Sequence, residues 1–313
     1  MSSFTNFLSK LRKTARAMAE LACPSCGSKS PELLLRRDRY LLPIDVSGCK
    51  QCGLIYAASG LQGEPEAEFY RSIYSTLMGW PPDSQGHRQY REFAERRWSL
   101  IKQYGGTPES LLEIGAGFGD FLALARKEGV RLIYGLEPGN VQREYARREY
   151  QFSEEVLSPE PFTAETRVPF APRVIVLFHV LEHLSQPGEL LRNIARCIAP
   201  EGLLVLEVPD LRADWKELNL LQFHVGHRSY FTEATLTNLL RSSGLRVEHI
   251  QKEPDGIYHG NLRVFARPAT DDGVRIPVDL HADLRYMRGQ LQPASLRNGY
   301  PRAFIRLLRF ALQ

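Results

Sequence analysis

The sequence predicts an α/β protein whose main body is a parallel sheet, preceded by a small metal-stabilised module. Three observations carry that expectation. From Leu111 to Val208, short apolar runs alternate with helical stretches, the rhythm of a parallel sheet with crossover helices. The first run leads straight into a glycine turn, Gly115-Ala116-Gly117-Phe118-Gly119-Asp120. Upstream, four of the five cysteines form two Cys-x-x-Cys pairs.

Taken in order, residues 4–22 read as an amphipathic basic helix. Phe4, Phe7, Leu8, Leu11, Ala15 and Met18 share one face, with Lys10, Lys13 and Arg16 elsewhere. Residues 23–60 carry the cysteines among short strand-like runs. Residues 61–87, with Gly63, Pro65, Gly79, Pro81 and Pro82, read as an irregular connector. Tyr90, Phe93, Arg97 and Ile101 begin a helix that ends at Gly105-Gly106. The alternating stretch then predicts strands at 111–114, 132–137, 155–157, 174–178 and 203–208, with helices from Phe118, Val141 and Pro187. A helix at 232–242 and strands at 247–251 and 261–266 follow. A second basic helix closes the chain, with Arg302, Arg306 and Arg309 opposite Phe304, Leu308 and Ala311. The expected division is 1–22, 23–60, 61–105, 106–267 and 268–313.

With 313 residues, 43% hydrophobic and 24% charged, the composition excludes collagen, extended disorder and a disulfide scaffold. The purest apolar run, 174–178, falls far short of the roughly 18 residues of a membrane span. The N-terminus lacks a continuous apolar signal segment, so a cytoplasmic setting is expected. Charge is unevenly spread. Nine Lys/Arg face four Asp/Glu in residues 1–60, seven face four in 268–313, and 24 face 28 between. Basic ends on an acidic body suit phosphate-bearing partners, including an anionic membrane surface at the inner face; solvated helix faces give the same pattern.

Cys23-Pro24-Ser25-Cys26 and Cys49-Lys50-Gln51-Cys52 each end in a glycine, Gly27 and Gly53. Four thiolates on two such knuckles suit tetrahedral Zn²⁺ with no open ligand position, so the ion is expected to be structural. Cys197, in an apolar helical stretch, reads as a buried thiol.

In the glycine turn, the backbone can approach a ligand closely at a helix start. A dinucleotide fingerprint would need glycine at position 120, which is Asp120. The second strand ends in Glu137-Pro138, and an acid there accepts hydrogen bonds from ribose hydroxyls. Glu113-Ile114-Gly115-Ala116-Gly117-Phe118-Gly119, Glu137, Phe178-His179-Val180-Leu181-Glu182-His183 and Ala199-Pro200-Glu201-Gly202 resemble, in order, the motifs of class I S-adenosylmethionine (SAM)-dependent methyltransferases. The resemblance covers residues 88–267. It implies a Rossmann-like sheet of seven strands, the last antiparallel. It also implies a SAM site formed by Glu113, Gly115, Ala116, Gly117, Gly119, Glu137, Pro138, Phe178 and His179.

His183 and His227 fall on loops at the sheet edge where ligands of such folds bind. Histidine is the natural base near neutral pH. The cysteine module followed by this fold resembles the sugar C-methyltransferases. Their catalytic loop reads Tyr-His-Glu-His-x-Ser-Tyr-Phe; aligned on Ser229-Tyr230-Phe231, it places the catalytic histidine at His227. His224 then stands for the tyrosine and Gly226 for the glutamate. His183 matches a second functional histidine, and His259-Gly260-Asn261-Leu262-Arg263 matches a segment before the last strand. Broader relatives in surface-polysaccharide pathways share the cysteine knuckles, Glu68-Phe69-Tyr70-x-x-x-Tyr74 and the His-x-Leu-Glu-His segment. The loss of the glutamate at Gly226 leaves the acceptor atom open.

The expected function is SAM-dependent methyl transfer to a small polar acceptor, a nucleotide-linked sugar or glycan unit, with His227 as base and His183 or His224 assisting. One alternative is an RNA methyltransferase with a zinc-bearing RNA module, disfavoured because no dense basic patch with interleaved aromatics is present. The other is a SAM-binding interaction subunit without turnover.

Overall fold

The computed structural model of the chain describes residues 13–14, 16–70, 85–213, 222–253, 260–270 and 273–291. Most of the expected helix over 4–22, together with Tyr74, His259 and the helix over 302–311, lies outside these residues.

The cysteine region forms short strands because its apolar residues come in runs of two to four. These are β1 (Ala19–Glu20), β2 (Pro31–Leu35), β3 (Val46–Cys49), β4 (Ile55–Ala57) and β5 (Ser59–Gly60). Strands β2, β3 and β4 pair antiparallel, and β1 pairs with β5 at Ala19↔Gly60 and Glu20↔Ser59. Residues 19–20 are thus strand where the apolar period suggested helix. Backbone bonds to 59–60 and from Leu21 N–H to Ala58 O at 2.8 Å hold them extended. The stretch read as irregular contains helix α1 (Glu64–Phe69), with Glu64 and Glu66 in its first turn, where negative charge favours a helix start. Helix α2 (Gln85–Gly105) follows.

The main sheet contains β6 (Ser110–Ile114), β7 (Leu132–Leu136), β8 (Leu157–Ser158), β9 (Val174–Phe178), β10 (Leu203–Pro209), β12 (Leu245–Glu253) and β13 (Asn261–Pro268). The spatial order is β12-β13-β10-β9-β6-β7-β8. Strand β13 runs antiparallel to both β10 and β12, and the other neighbouring pairs are parallel. This is the seven-stranded α/β sheet that the sequence predicts. Its central strands are buried on both faces, which is why they read as unbroken apolar runs. Crossover helices α3 (Asp120–Lys127), α4 (Asn140–Tyr150) and α5 (Pro187–Cys197) cover it, with α6 (Glu233–Arg241) leading into β12. Cys197 is half-buried at the end of α5, its thiol pushed up by burial to about 11. Helix α7 (Leu280–Gln290) packs on the cysteine module, its Leu284 and Met287 sharing a core with Ile44, Val46 and Ile55.

A short strand after β10, β11 (Ser229–Tyr230), leaves the main sheet and pairs antiparallel with β4. The cysteine module therefore gains a fourth strand, in the order β11-β4-β3-β2, from the loop that carries His224 and His227. Among the described residues no helix is long and apolar enough to cross a membrane.

Candidate functional site

Strand β6 delivers the glycine turn at the carboxyl edge of the sheet. The N–H groups of Gly115 and Ala116 both donate to Leu136 O, at 2.8 and 3.0 Å, which locks the turn to β7. Gly115 has φ 72°, and a Cβ there would lie 2.5 Å from Val180 Cγ2, so a side chain is excluded on two grounds. Gly117 also has positive φ, but a Cβ on it would meet nothing within 4 Å: this side of the turn is open toward a ligand.

Glu137, just after β7, spans the opening. Its two carboxylate oxygens accept from Gly117 N–H and Gly139 N–H, each at 2.7 Å. Burial raises its pKa, and those two bonds oppose the rise. Each oxygen retains a lone pair, as contact with a ribose diol requires. Pro138 is exposed beside it. Glu113 lies deeper. It is buried, and burial holds its pKa well above the ordinary carboxylate range while Arg97 opposes the shift. Gly119 forms the left-handed start of α3 at φ 78°.

Asp120 is the position at which the turn departs from a dinucleotide fingerprint. Its oxygens are gripped by His87 Nε2 at 2.9 Å, Arg91 Nε at 3.1 Å and the Tyr150 hydroxyl at 2.6 Å. Helix α2 thus braces the glycine turn, a role that sequence analysis missed. The buried histidine in the first turn of α2 was the available signal.

On β9 and β10 the edge carries charge. Glu207 is 2% exposed and sits between Arg97 at 2.6 Å and Arg263 at 2.7 Å, with His179 Nε2 at 3.1 Å. Burial pushes its pKa up, but Arg97 and His179 prevail and hold it well below the carboxylate range. Arg97 also lies over the Phe178 ring, 4.2 Å from its centroid, a cation–π contact that fixes Phe178 at the site's edge. Replacing Glu207 by Gln leaves two buried guanidinium groups underpaired and is expected to cost about 3–5 kcal/mol of stability. Because the folded pKa lies below the unfolded value, the wild-type contribution is present above about pH 4.3 and is lost as pH falls toward the folded pKa. Melting temperature measured against pH checks both, and equal melting curves for the two proteins would reject this role.

His179 takes a left-handed backbone, φ 56°, at a non-glycine position. Such strain costs about 1–3 kcal/mol and persists only when surroundings enforce it. Here its N–H donates to Glu207 O at 2.9 Å, and its ring bridges Glu207 and Glu182, with Nδ1 3.3 Å from Glu182 Oε1. Burial lowers its pKa, but the two carboxylates outweigh that and raise it.

The three predicted histidines come together. His183 ends a single 3₁₀ turn, Leu181–His183, after β9, while His224 and His227 lie on the loop after β10. The ring centroids of His224 and His227 are 3.8 Å apart, and those of His183 and His227 are 4.8 Å apart. Burial lowers the pKa of His183 and drives those of His224 and His227 well below the ordinary imidazole value. All three are neutral at pH 7, the state a proton acceptor needs.

What places the histidine loop is the cysteine module. Asp38 is fully buried and accepts from Val225 N–H at 3.0 Å, as well as from Tyr40 and Leu42 N–H. Arg39 N–H donates to Phe223 O at 2.8 Å, Ala57 N–H donates to Arg228 O at 3.0 Å, and β11 pairs with β4. Arg228 itself is buried, bonded to Leu61 O and to Glu66 Oε1 at 2.8 Å. It falls at the unspecified position of the aligned histidine loop, which hid its role in the sequence.

The four cysteine sulfurs cluster with Cys23 Sγ 3.6 Å from Cys52 Sγ and Cys26 Sγ 3.5 Å from Cys49 Sγ. A disulfide would need about 2.05 Å, whereas four sulfurs about 2.3 Å from one zinc ion stand roughly 3.8 Å apart. All four ligand atoms lie within 4.8 Å of one another. The shared contact pushes the Cys23 thiol up and brings Cys52 down to about 5. Four thiolates so crowded need a cation, and the donor set fits zinc.

A glycine turn open at Gly117, an acid at the end of the second strand and this strand order define the class I SAM-dependent methyltransferase fold. Residues 84–250 match the methyltransferase-domain family, and the chain belongs to it. It is 28% identical over 237 residues to the C-methyltransferase NovU of Streptomyces niveus, covering 74% of this chain and 53% of that protein. The chain thus spans about half the length of this relative. Among solved structures, the 1,6-didemethyltoxoflavin-N1-methyltransferase of Burkholderia thailandensis is similar, with a TM-score of 0.52 and 19% identity over 77% of this chain and 99% of that one.

Proposed function

We propose that the protein transfers a methyl group from SAM to a small polar acceptor, a nucleotide-linked sugar or glycan unit. His227 serves as general base, with His183 and His224 beside it, and Cys23, Cys26, Cys49 and Cys52 hold a structural zinc ion. The observation that carries this reading is the convergence of two buried histidines, His224 and His227, and the half-buried His183 at the sheet edge that also bears the glycine turn. The similarity to the C-methyltransferase NovU supports methyl transfer, and the sugar acceptor is our reading of the motifs that this chain shares with sugar C-methyltransferases.

SAM supplies a methyl group made electrophilic by its sulfonium sulfur. The turn at 115–119 and Glu137 bind and orient the cofactor, and His227 accepts the acceptor's proton. The remaining contribution is positioning and exclusion of water. Glu137→Ala removes a half-buried acceptor of charged hydrogen bonds and unlocks Gly117. It is expected to weaken SAM binding by about 10–100-fold, or roughly 1.5–3 kcal/mol. Titration calorimetry checks it, and unchanged affinity would remove Glu137 from the site.

Methyl-labelled SAM, incubated with the enzyme and a size-fractionated cell extract, tests the acceptor class. Ribonuclease-resistant label in the small-molecule or glycan fraction supports the sugar reading. Label that ribonuclease releases assigns the chain to RNA instead.

A further inference from the structure

Glu182 stands out among the buried groups of the site. It is fully buried, and among the described residues neither carboxylate oxygen accepts a well-aligned hydrogen bond. Its ion contact is with His179 Nδ1 at 3.3 Å. A buried carboxylate that accepts no hydrogen bond requires an explanation, and an ion is one of the few.

Two histidines face it with the wrong end for a hydrogen bond. His183 Nδ1 is 2.7 Å from Gly226 O, so Nδ1 carries the proton, and the neutral ring presents the lone pair of Nε2. That Nε2 lies 3.9 Å from Glu182 Oε1, too far for a hydrogen bond. The ring of His227 is likewise held through a backbone bond to Gln222, while its Nε2 is buried. One ligand atom from each of Glu182, His183 and His227 falls within 4.8 Å of the other two. Imidazole nitrogens and a carboxylate thus converge where Glu182 and His227 are buried and His183 is half-buried. Histidines whose second nitrogen is tied to a backbone carbonyl are the usual outer arrangement of metal ligands.

We propose that Glu182, His183 and His227 bind a second divalent cation, separate from the four-thiolate site. Two imidazoles and one carboxylate suit a borderline transition-series ion such as Zn²⁺, Co²⁺ or Mn²⁺. Ligands about 2.0–2.2 Å from such an ion stand roughly 3.4 Å apart in tetrahedral geometry, so small side-chain rotations close the site. Three protein ligands leave a position open for an oxygen of the acceptor. That differs from the thiolate site, in which the protein fills all four positions.

The inference rests on the methyl-transfer reading and moves acceptor activation from a bare His227 ring to the ion that it ligates. The ion lowers the pKa of the acceptor hydroxyl it contacts. Its proton is released to water; His224 is no acceptor for it, because its Nδ1 already accepts from Gly226 N–H at 3.1 Å and the neutral ring carries its own proton on Nε2. The O–H bond breaks as the water takes up the proton. The oxygen pair then forms the new O–C bond while the C–S pair leaves with sulfur.

The test is metal content and Co²⁺ titration of the full chain, with the conservative variant Glu182→Gln. Wild type should bind two equivalents, one with the intense sulfur-to-cobalt absorption of a tetrathiolate site and one without it. Glu182→Gln should keep the thiolate equivalent, which also reports that the chain is folded, and lose the other. A wild type saturating at the thiolate equivalent alone overturns the proposal, as does a Glu182→Gln protein that still binds both. Methyl transfer is read separately. Full activity with only the thiolate equivalent bound discards the second ion and keeps the methyltransferase reading. Two bound ions with no transfer to any acceptor discard that reading and leave the metal site standing.

Discussion

His227→Ala lowers turnover by about 10²–10⁴-fold, the usual worth of a positioned base, while SAM affinity stays nearly unchanged. The split follows from the geometry. His227 sits on the loop after β10, among His183, His224 and Tyr230, whereas the glycine turn and Glu137 belong to β6 and β7. Removing the imidazole deletes the ring through which the acceptor is activated and leaves the cofactor cradle in place. Steady-state kinetics combined with SAM titration checks this; parallel loss of turnover and SAM affinity would reduce His227 to a packing role. His227→Gln keeps much of the side-chain volume and controls for the cavity.

Loss of the four-thiolate ion is the second large effect. Structural zinc contributes about 10–16 kcal/mol of apparent binding energy in small modules, and the cysteine module has few apolar strands of its own. Cys49→Ser, which breaks the cluster at a fully buried thiol, should unfold residues 23–60 as a unit. The consequence reaches the histidines, because β4, Asp38 and Arg39 hold the loop 222–230. Turnover should therefore fall to background although no cysteine touches the acceptor site. SAM affinity should fall far less, since the cradle hangs on the main sheet. Hydrogen exchange localises the event: faster exchange at 46–57 and 223–230, with 110–136 retaining protection, is expected. Protected 223–230 amides in the variant would uncouple module from loop.

How much of this was legible in the sequence depends on the range of the interaction involved. The main sheet was, because each central strand is buried on both faces and writes itself as an apolar run bounded by turns. The glycine turn, Glu137 and the cysteine knuckles were legible for a related reason: their chemistry depends on local spacing. The pairing of β11 with β4 was not. Two residues, Ser229–Tyr230, carry no periodicity, and their partner lies some 170 residues earlier. The same holds for Asp38, an ordinary acid in sequence that becomes the acceptor for the Val225 N–H only in the fold. Glu182 was quoted as part of a motif, yet its lack of a hydrogen-bond partner is a property of three dimensions. Strand β1 shows the opposite failure, since apolar spacing compatible with a helix yields to pairing with β5.

The most direct measurement is mass spectrometry of nucleotide-linked sugars incubated with the purified chain and SAM. The account predicts a product heavier by one methylene, with one S-adenosylhomocysteine formed per product and both formed at least about 100-fold more slowly in His227→Ala. A chain that binds SAM and folds normally, yet forms no S-adenosylhomocysteine across the sugar pool or forms it equally in His227→Ala, would contradict it.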